Sequence, residues 1–359
     1  MTVHDDRILV RAGDGVGRIT LDRPEAINAV DVEMLDVVTE ALNAFRADPE
    51  VDIVVLDGVG ERGFSAGGDV RRVHRDIVRG RPDEAERFFR VEYEMNALID
   101  EFPKPVVAFA DGVTMGGGIG MAGHAGVRIV TETSRLAMPE TRIGFTPDAG
   151  GSWLLARAPG CIGEYLALTS ETMDAADAIH AGFADFLVPR ADLGSVRHAL
   201  ETRADPSTPA ELIMLFDETP ADSSLEAARA WIDDAFSRDT IAEVRDRLRE
   251  LAEDPRWGDE ARTPASALAE LEQRPPVSLT VTLAAIRSSR ALSLRQALEQ
   301  EYGLVGWFVD TQPDMLEGIR AQMIDKDRSP RWSPATLDEL PDDIVEQAFA
   351  HRNRKPLFG

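Results

Sequence analysis

The chain has 359 residues, 43% hydrophobic and 29% charged, enough to bury a core without covalent staples. Its formal charge of −25 argues against nucleic-acid binding and against docking on an anionic membrane, both of which need a basic face. A single cysteine, Cys161, excludes an internal disulfide framework and any multi-cysteine metal site. No apolar run approaches the roughly 18 residues of a membrane span. Residues 1–6 show neither a basic, apolar leader nor an Arg/Ser-rich one, so a cytoplasmic address is expected.

Residues 7–11 and 16–21 read as strands around Gly13-Asp14-Gly15, a hairpin signal. Asp31 is a candidate N-cap for a helix whose apolar stripe is Met34, Val38, Ala41, Leu42 and Phe45. Residues 52–57 suit a buried strand, and helical patterns follow at 70–79 and 83–101. A second apolar run at 106–110 precedes a glycine-rich segment at 114–120, a small-residue helix and a strand at 127–131. Strands alternating with helices to about residue 190 predict an α/β core. Residues 205–210 look like a linker, and beyond them the pattern is helical to about 324, broken near Asp254-Pro255 and Pro275-Pro276. The expected division is an α/β core over 1–205 and a mainly helical region over 206–359. The basic tail from Arg352 is expected to fray.

Three segments could carry chemistry. In Glu61-Arg-Gly-Phe-Ser-Ala-Gly-Gly-Asp69, Gly67 and Gly68 let a ligand approach backbone N–H groups, or simply turn a strand into a helix. Met115-Gly-Gly-Gly-Ile-Gly120 lacks the spacing of a dinucleotide fingerprint. Its glycines imply close backbone approach to another helix or to an oxyanion. Ala137–Gly151 places Glu140 and Asp148 in largely apolar surroundings, where a carboxylate can do acid–base or nucleophilic work, or merely cap a turn. Two sets of candidate oxyanion amides with two carboxylates make an acyl-transfer site.

Four stretches carry a resemblance to the enoyl-CoA hydratase/isomerase (crotonase) superfamily: Arg23–Ala29, Phe64–Asp69, Asp111–Gly118, and Met138–Glu140 with Pro147–Gly151. A narrower resemblance, to the thioester-hydrolysing branch of that superfamily, rests on Glu92–Asn96, Pro139-Glu140 with Asp148 eight residues after the acid, Ser278–Leu283, Glu301-Tyr302 and Ile324–Trp332. The resemblance implies an α/β crotonase fold, a ClpP/crotonase-like spiral of ββα units followed by a helical C-terminal region. It implies an oxyanion hole at the amides of Gly68 and Gly117, catalytic roles for Glu140 and Asp148, and substrate contacts at Glu92, Gly117, Glu140 and Asp148. Ala26, Ile27, Ser65, Ala66 and Gly68 become coenzyme A contacts. Hydratases of the superfamily carry a second glutamate where this chain has Gly120 and commonly have glycine where it has Asp148. The implied activity is therefore hydrolysis of an acyl-CoA thioester, 3-hydroxyisobutyryl-CoA in valine degradation. The alternatives are a hydratase or isomerase and a non-catalytic acyl-CoA-binding subunit. No cofactor is expected beyond the coenzyme A of the substrate, no metal, and no nucleic-acid or membrane partner; a homo-oligomer fits the superfamily's habit.

Other reactive residues offer less. The six histidines lack metal-ligand spacing, Ser65 lacks a nucleophile elbow, and Cys161 has no evident activating partner.

Overall fold

The computed structural model describes residues 5–203, 208–258 and 261–358. The expected boundary at 205/206 thus lies outside the described residues. The chain forms two compact units that interleave in sequence. The first takes residues up to Asp69, Val91–Leu136 and Met173–Ala221; the second takes Val70–Arg90, Ala137–Thr172 and the chain from Asp222.

The first unit is built on a sheet. β1 (Ile8–Gly13) and β2 (Val16–Leu21) pair antiparallel across Asp14-Gly15. Both turn residues have positive φ, 52° and 73°, the left-handed geometry a two-residue hairpin needs and Asp-Gly supplies. Next come β3 (Ile53–Gly58), β4 (Val106–Ala110), β5 (Val113–Met115), β6 (Val127–Val130), β7 (Arg135–Ala137) and β8 (Phe186–Leu187). The main sheet runs β1-β2-β3-β4-β6-β8 and is parallel from β2 onward, while β5 and β7 form a separate pair. Parallel neighbours require crossovers. The first is the helix Val32–Ala47, capped by Asp31, whose side chain accepts from Met34 N at 3.2 Å. β3 and β4 are buried along almost their whole length, which is why they read as unbroken apolar runs. On one face Ile53, Val55, Val107, Phe109, Val127 and Ile129 recur every second residue and pack against Val188, Val196 and Leu200.

The second unit is mainly helical. Its C-terminal helices are Ser224–Phe236, Ile241–Ala252, Pro264–Leu271, Pro276–Ser289, Leu294–Thr311, Asp314–Ile319 and Ile344–Ala350. The prolines that interrupt the helical pattern are its punctuation: Pro255 opens a 3-10 turn, and Pro264 and Pro276 open helices, where a missing N–H costs nothing. Thr240 with Glu243, and Ser293 with Gln296, form capping boxes. Tyr165 meets Trp231 and Phe236 edge-on at 5.5 Å, and Phe145 packs against both Phe89 and Phe308. The tail does not fray as expected: Leu357 is buried and the Arg295 guanidinium lies 3.8 Å over the Phe358 ring, so apolar burial and a cation–π contact dock it. Among the described residues no helix is long and apolar enough to cross a membrane.

Candidate active site

In the first unit, the loop after β3 is shaped by Asn28. Its buried side chain donates through Nδ2 to the carbonyls of Val59 (3.0 Å), Gly63 (3.1 Å) and Phe64 (3.0 Å) and accepts from Arg23 N at 2.9 Å. Ile27 just before it has φ 50°, a left-handed position that a β-branched residue takes only under constraint. Ala66 N–H supplies part of that constraint, donating to the Ile27 carbonyl at 2.8 Å. Ser65 is fully buried; its hydroxyl donates to Asn28 O at 3.0 Å and accepts from Gly67 N at 3.1 Å. Its backbone N–H and carbonyl pair with Val113 and Met115. The Ser65 side chain therefore builds the turn, whereas Ala26, Ile27, Ala66 and Gly68 are half-buried.

That turn carries Gly68. Val30 N donates to Gly67 O and Asp69 N donates to Val30 O, which straddles Gly68 in a parallel bridge and turns its own N–H away from Val30. Gly116 (φ 51°, ψ −124°) swings the chain from β5 into the helix Gly117–Gly123 through a conformation open to glycine. Gly117 is the first helical residue, so its N–H has no acceptor in the helix. Among the described residues, neither the Gly68 nor the Gly117 N–H is used in a backbone hydrogen bond. The two turns touch. A Cβ on Gly117 would stand 3.5 Å from Gly68 N, and one on Gly67 would stand 3.0 Å from Gly117 N. The same Cβ on Gly117 would overlap Oε1 of Glu92. Glu92, on the helix Pro82–Asp100, is only 2% exposed, so it is not the solvated helix acid that an isolated glutamate suggests. The structure thus brings together Gly68, Gly117 and Glu92.

The second unit carries Glu140 and Asp148, each 6% exposed, on one segment. Glu140 opens the 3-10 turn Glu140–Ile143, and its carbonyl accepts from Phe145 N at 3.0 Å. Thr141 Oγ1 donates to Ala167 O at 2.8 Å, and Thr282 Oγ1 donates to Thr146 Oγ1 at 2.9 Å. The Ser278–Leu283 motif therefore has a visible task, to support this segment. The helix Asp314–Ile319 lies against the turn so closely that a Cβ on Gly318 would overlap the Ile143 carbonyl. Its Asp314, pushed up to about 6 chiefly by burial, accepts from Ser333 N at 2.8 Å. The motif Ile324–Trp332 anchors the same region: Arg320 pairs with Glu317, Asp325 and Asp327 at 2.6–2.8 Å, and Trp332 Nε1 donates to Gln273 O.

Past Asp148 the chain passes through two left-handed residues, Ala149 (φ 54°) and Gly150 (φ 80°), into the helix Gly151–Leu155. Glu301, fully buried on the helix Leu294–Thr311, accepts from Gly150 N (2.6 Å), Ser152 N (2.9 Å) and Ser152 Oγ (2.5 Å). Burial pushes Glu301 up to about 8; the Asp148 charge adds to this, while the hydrogen bonds from Ser152 and Gly150 oppose it. In the sequence Glu301 stood out as part of a motif, with no task. Cys161 is half-buried, and burial, then Glu164 and Asp233, push its thiol up, which leaves it a poor nucleophile. Among the described residues no group of three or more side chains could hold a metal.

The chain belongs to the enoyl-CoA hydratase/isomerase family, whose model matches residues 16–349. It is 34% identical to 3-hydroxyisobutyryl-CoA hydrolase 1 of Arabidopsis thaliana, over 97% of this chain and 93% of that protein. It is also 34% identical to the protein named 3-hydroxyisobutyryl-CoA hydrolase, mitochondrial, of Gallus gallus, over 98% of this chain and 89% of that one. A solved structure described as a carnitinyl-CoA dehydratase from Mycobacterium thermoresistibile shares 39% identity and matches with a TM-score of 0.90 over 98% of both chains. The fold is the crotonase fold that the motifs imply.

Proposed function

We propose that this chain is a thioester hydrolase acting on a short 3-hydroxyacyl-CoA, with 3-hydroxyisobutyryl-CoA as the preferred substrate in valine breakdown. The observation that carries the reading is the meeting of Gly68, Gly117 and Glu92: two backbone donors beside a buried carboxylate. The nearly full-length similarity to curated 3-hydroxyisobutyryl-CoA hydrolases supports it.

When the thioester carbonyl is attacked, negative charge develops on its oxygen. The Gly68 and Gly117 amides take that charge, each donor contributing roughly 3–4 kcal/mol in comparable sites. Glu140 acts in one of two ways. As a nucleophile it forms a mixed anhydride and expels the CoA thiolate, and water then releases the acid; as a general base it takes a proton from water that attacks directly. Asp148 orients the water, the substrate hydroxyl or Glu140 itself. Glu92 accepts a hydrogen bond from the 3-hydroxyl. The CoA portion passes Ala26, Ile27, Ala66 and Gly68, while Ser65 contributes by holding their turn.

The hydratase reading has in its favour that a similar solved structure, 41% identical, is described as an enoyl-CoA hydratase. Against it stands Gly120, buried in the helix Gly117–Gly123 where a hydratase of the superfamily carries its second glutamate. The direct test is free-thiol release from 3-hydroxyisobutyryl-CoA and from butyryl-CoA. A site built around a hydroxyl leaves a buried acceptor unsatisfied when that hydroxyl is absent. The 3-hydroxy substrate should be cleaved at least about 10-fold faster; equal rates would defeat the reading.

A further inference from the structure

We infer that Glu301 is a positioning residue for the proposed reaction, holding the Asp148 loop in its working shape from a helix some 150 residues away in sequence. The inference rests on the role proposed above for Asp148.

The geometry is specific. Asp148 precedes two left-handed residues, one of them Ala149, which has no intrinsic preference for that region. A loop of this shape needs an external anchor, and Glu301 supplies one just past the bend. Oε2 takes Gly150 N–H, and Oε1 takes both the N–H and the O–H of Ser152. The anchor is itself fixed from behind. Ser152 Oγ lies 2.9 Å from Ser289 Oγ, and Gln300 Nε2 donates to Ser289 Oγ at 3.2 Å and to Ala285 O at 3.2 Å. Helices Pro276–Ser289 and Leu294–Thr311 thus form one frame for the loop. In either protonation state both Glu301 oxygens carry lone pairs. An amide nitrogen carries none, so in Glu301→Gln the NH2 faces a backbone N–H, at Gly150 or at Ser152, whichever way the amide turns. One of the two backbone donors loses its acceptor, and the loop must shift.

The experiment is a double-mutant cycle of Glu301→Gln with Asp148→Asn, read as kcat and KM for thiol release from 3-hydroxyisobutyryl-CoA. Glu301→Gln alone should lower kcat about 10- to 100-fold with KM within about 3-fold, the signature of misplacement. The double variant should be no slower than Asp148→Asn within about 3-fold, because the two residues act through one loop. Should Glu301→Gln fail to fold, Ser152→Ala removes one of the three donors to Glu301 and takes its place in the cycle, with a kcat loss of about 3- to 10-fold. Wild-type kcat in a folded Glu301→Gln or Ser152→Ala variant, or losses that multiply in the double variant, would overturn the inference and leave the Asp148 reading intact. Wild-type kcat in Asp148→Asn would overturn that reading and, with it, this one.

Discussion

A Cβ on Gly117 would overlap Oε1 of Glu92, so the first unit has one space that a buried carboxylate and a backbone amide can share only while position 117 bears no side chain. Glycine here serves close approach. The amide proposed as an oxyanion donor and the acid proposed to accept from the 3-hydroxyl are set against each other by packing within that unit.

Gly117→Ala should therefore damage the site more than the fold. The new methyl group displaces the Glu92 carboxylate, and we expect kcat/KM for 3-hydroxyisobutyryl-CoA to fall at least about 10-fold, with most of the preference over butyryl-CoA lost. Alanine favours the helix that begins there, so circular dichroism should be unchanged. A variant with wild-type kcat/KM and preference would separate Gly117 from substrate recognition.

Glu140→Gln keeps the size of the side chain and removes the proposed nucleophile or base. Thiol release should drop by at least about 100-fold while substrate still binds. Incorporation of solvent 18O into the enzyme during turnover by the wild type would identify the anhydride route, since water that opens the anhydride at the Glu140 carbon leaves its label there. Full activity in Glu140→Gln would make Glu140 a structural residue.

Glu301 also sets an expectation for stability. Its folded pKa, near 8, lies above the ordinary glutamate value of about 4.3 in the unfolded chain. Between these values the folded chain holds a proton that the unfolded chain has released, so stability falls as pH rises through the window and levels off above it. This one group contributes at most about 1.4 kcal/mol per pH unit. Urea unfolding from pH 6 to 9 should show a declining midpoint in the wild type and a shallower decline in Glu301→Gln. Parallel slopes would show that Glu301 keeps an ordinary pKa.

Much of the fold is legible because the signals are local. The Asp14-Gly15 turn, the Asp31 cap and the apolar runs of β3 and β4 each declare themselves within a few residues. Strands β5, β7 and β8 do not, because two or three residues cannot show a period. The interleaving of the two units was also hidden, since it depends on contacts between distant segments. Among the candidate residues, the two glycine-rich turns and the acids Glu140 and Asp148 are visible through glycine clustering and apolar surroundings, while the choice of Gly68 and Gly117 within those turns comes from the family resemblance. Glu92 alone reads as a surface acid, yet its neighbours Val91, Tyr93 and Met95 are all buried, and that wide apolar face was the available signal. Asn28 and Glu301 each hold the backbone of another segment within their own unit, and no spacing rule reveals such a partner.

Hydrolysis against hydration, measured on one preparation, tests the central claim most directly: free-thiol release from 3-hydroxyisobutyryl-CoA beside loss of the conjugated enoyl absorbance of crotonyl-CoA. With Gly120 in place of a second glutamate and Asp148 present, thiol release should exceed enoyl hydration by at least about 100-fold, the contribution expected of one positioned acid or base. Efficient crotonyl-CoA hydration with little thiol release would contradict the account and return the chain to the hydratases.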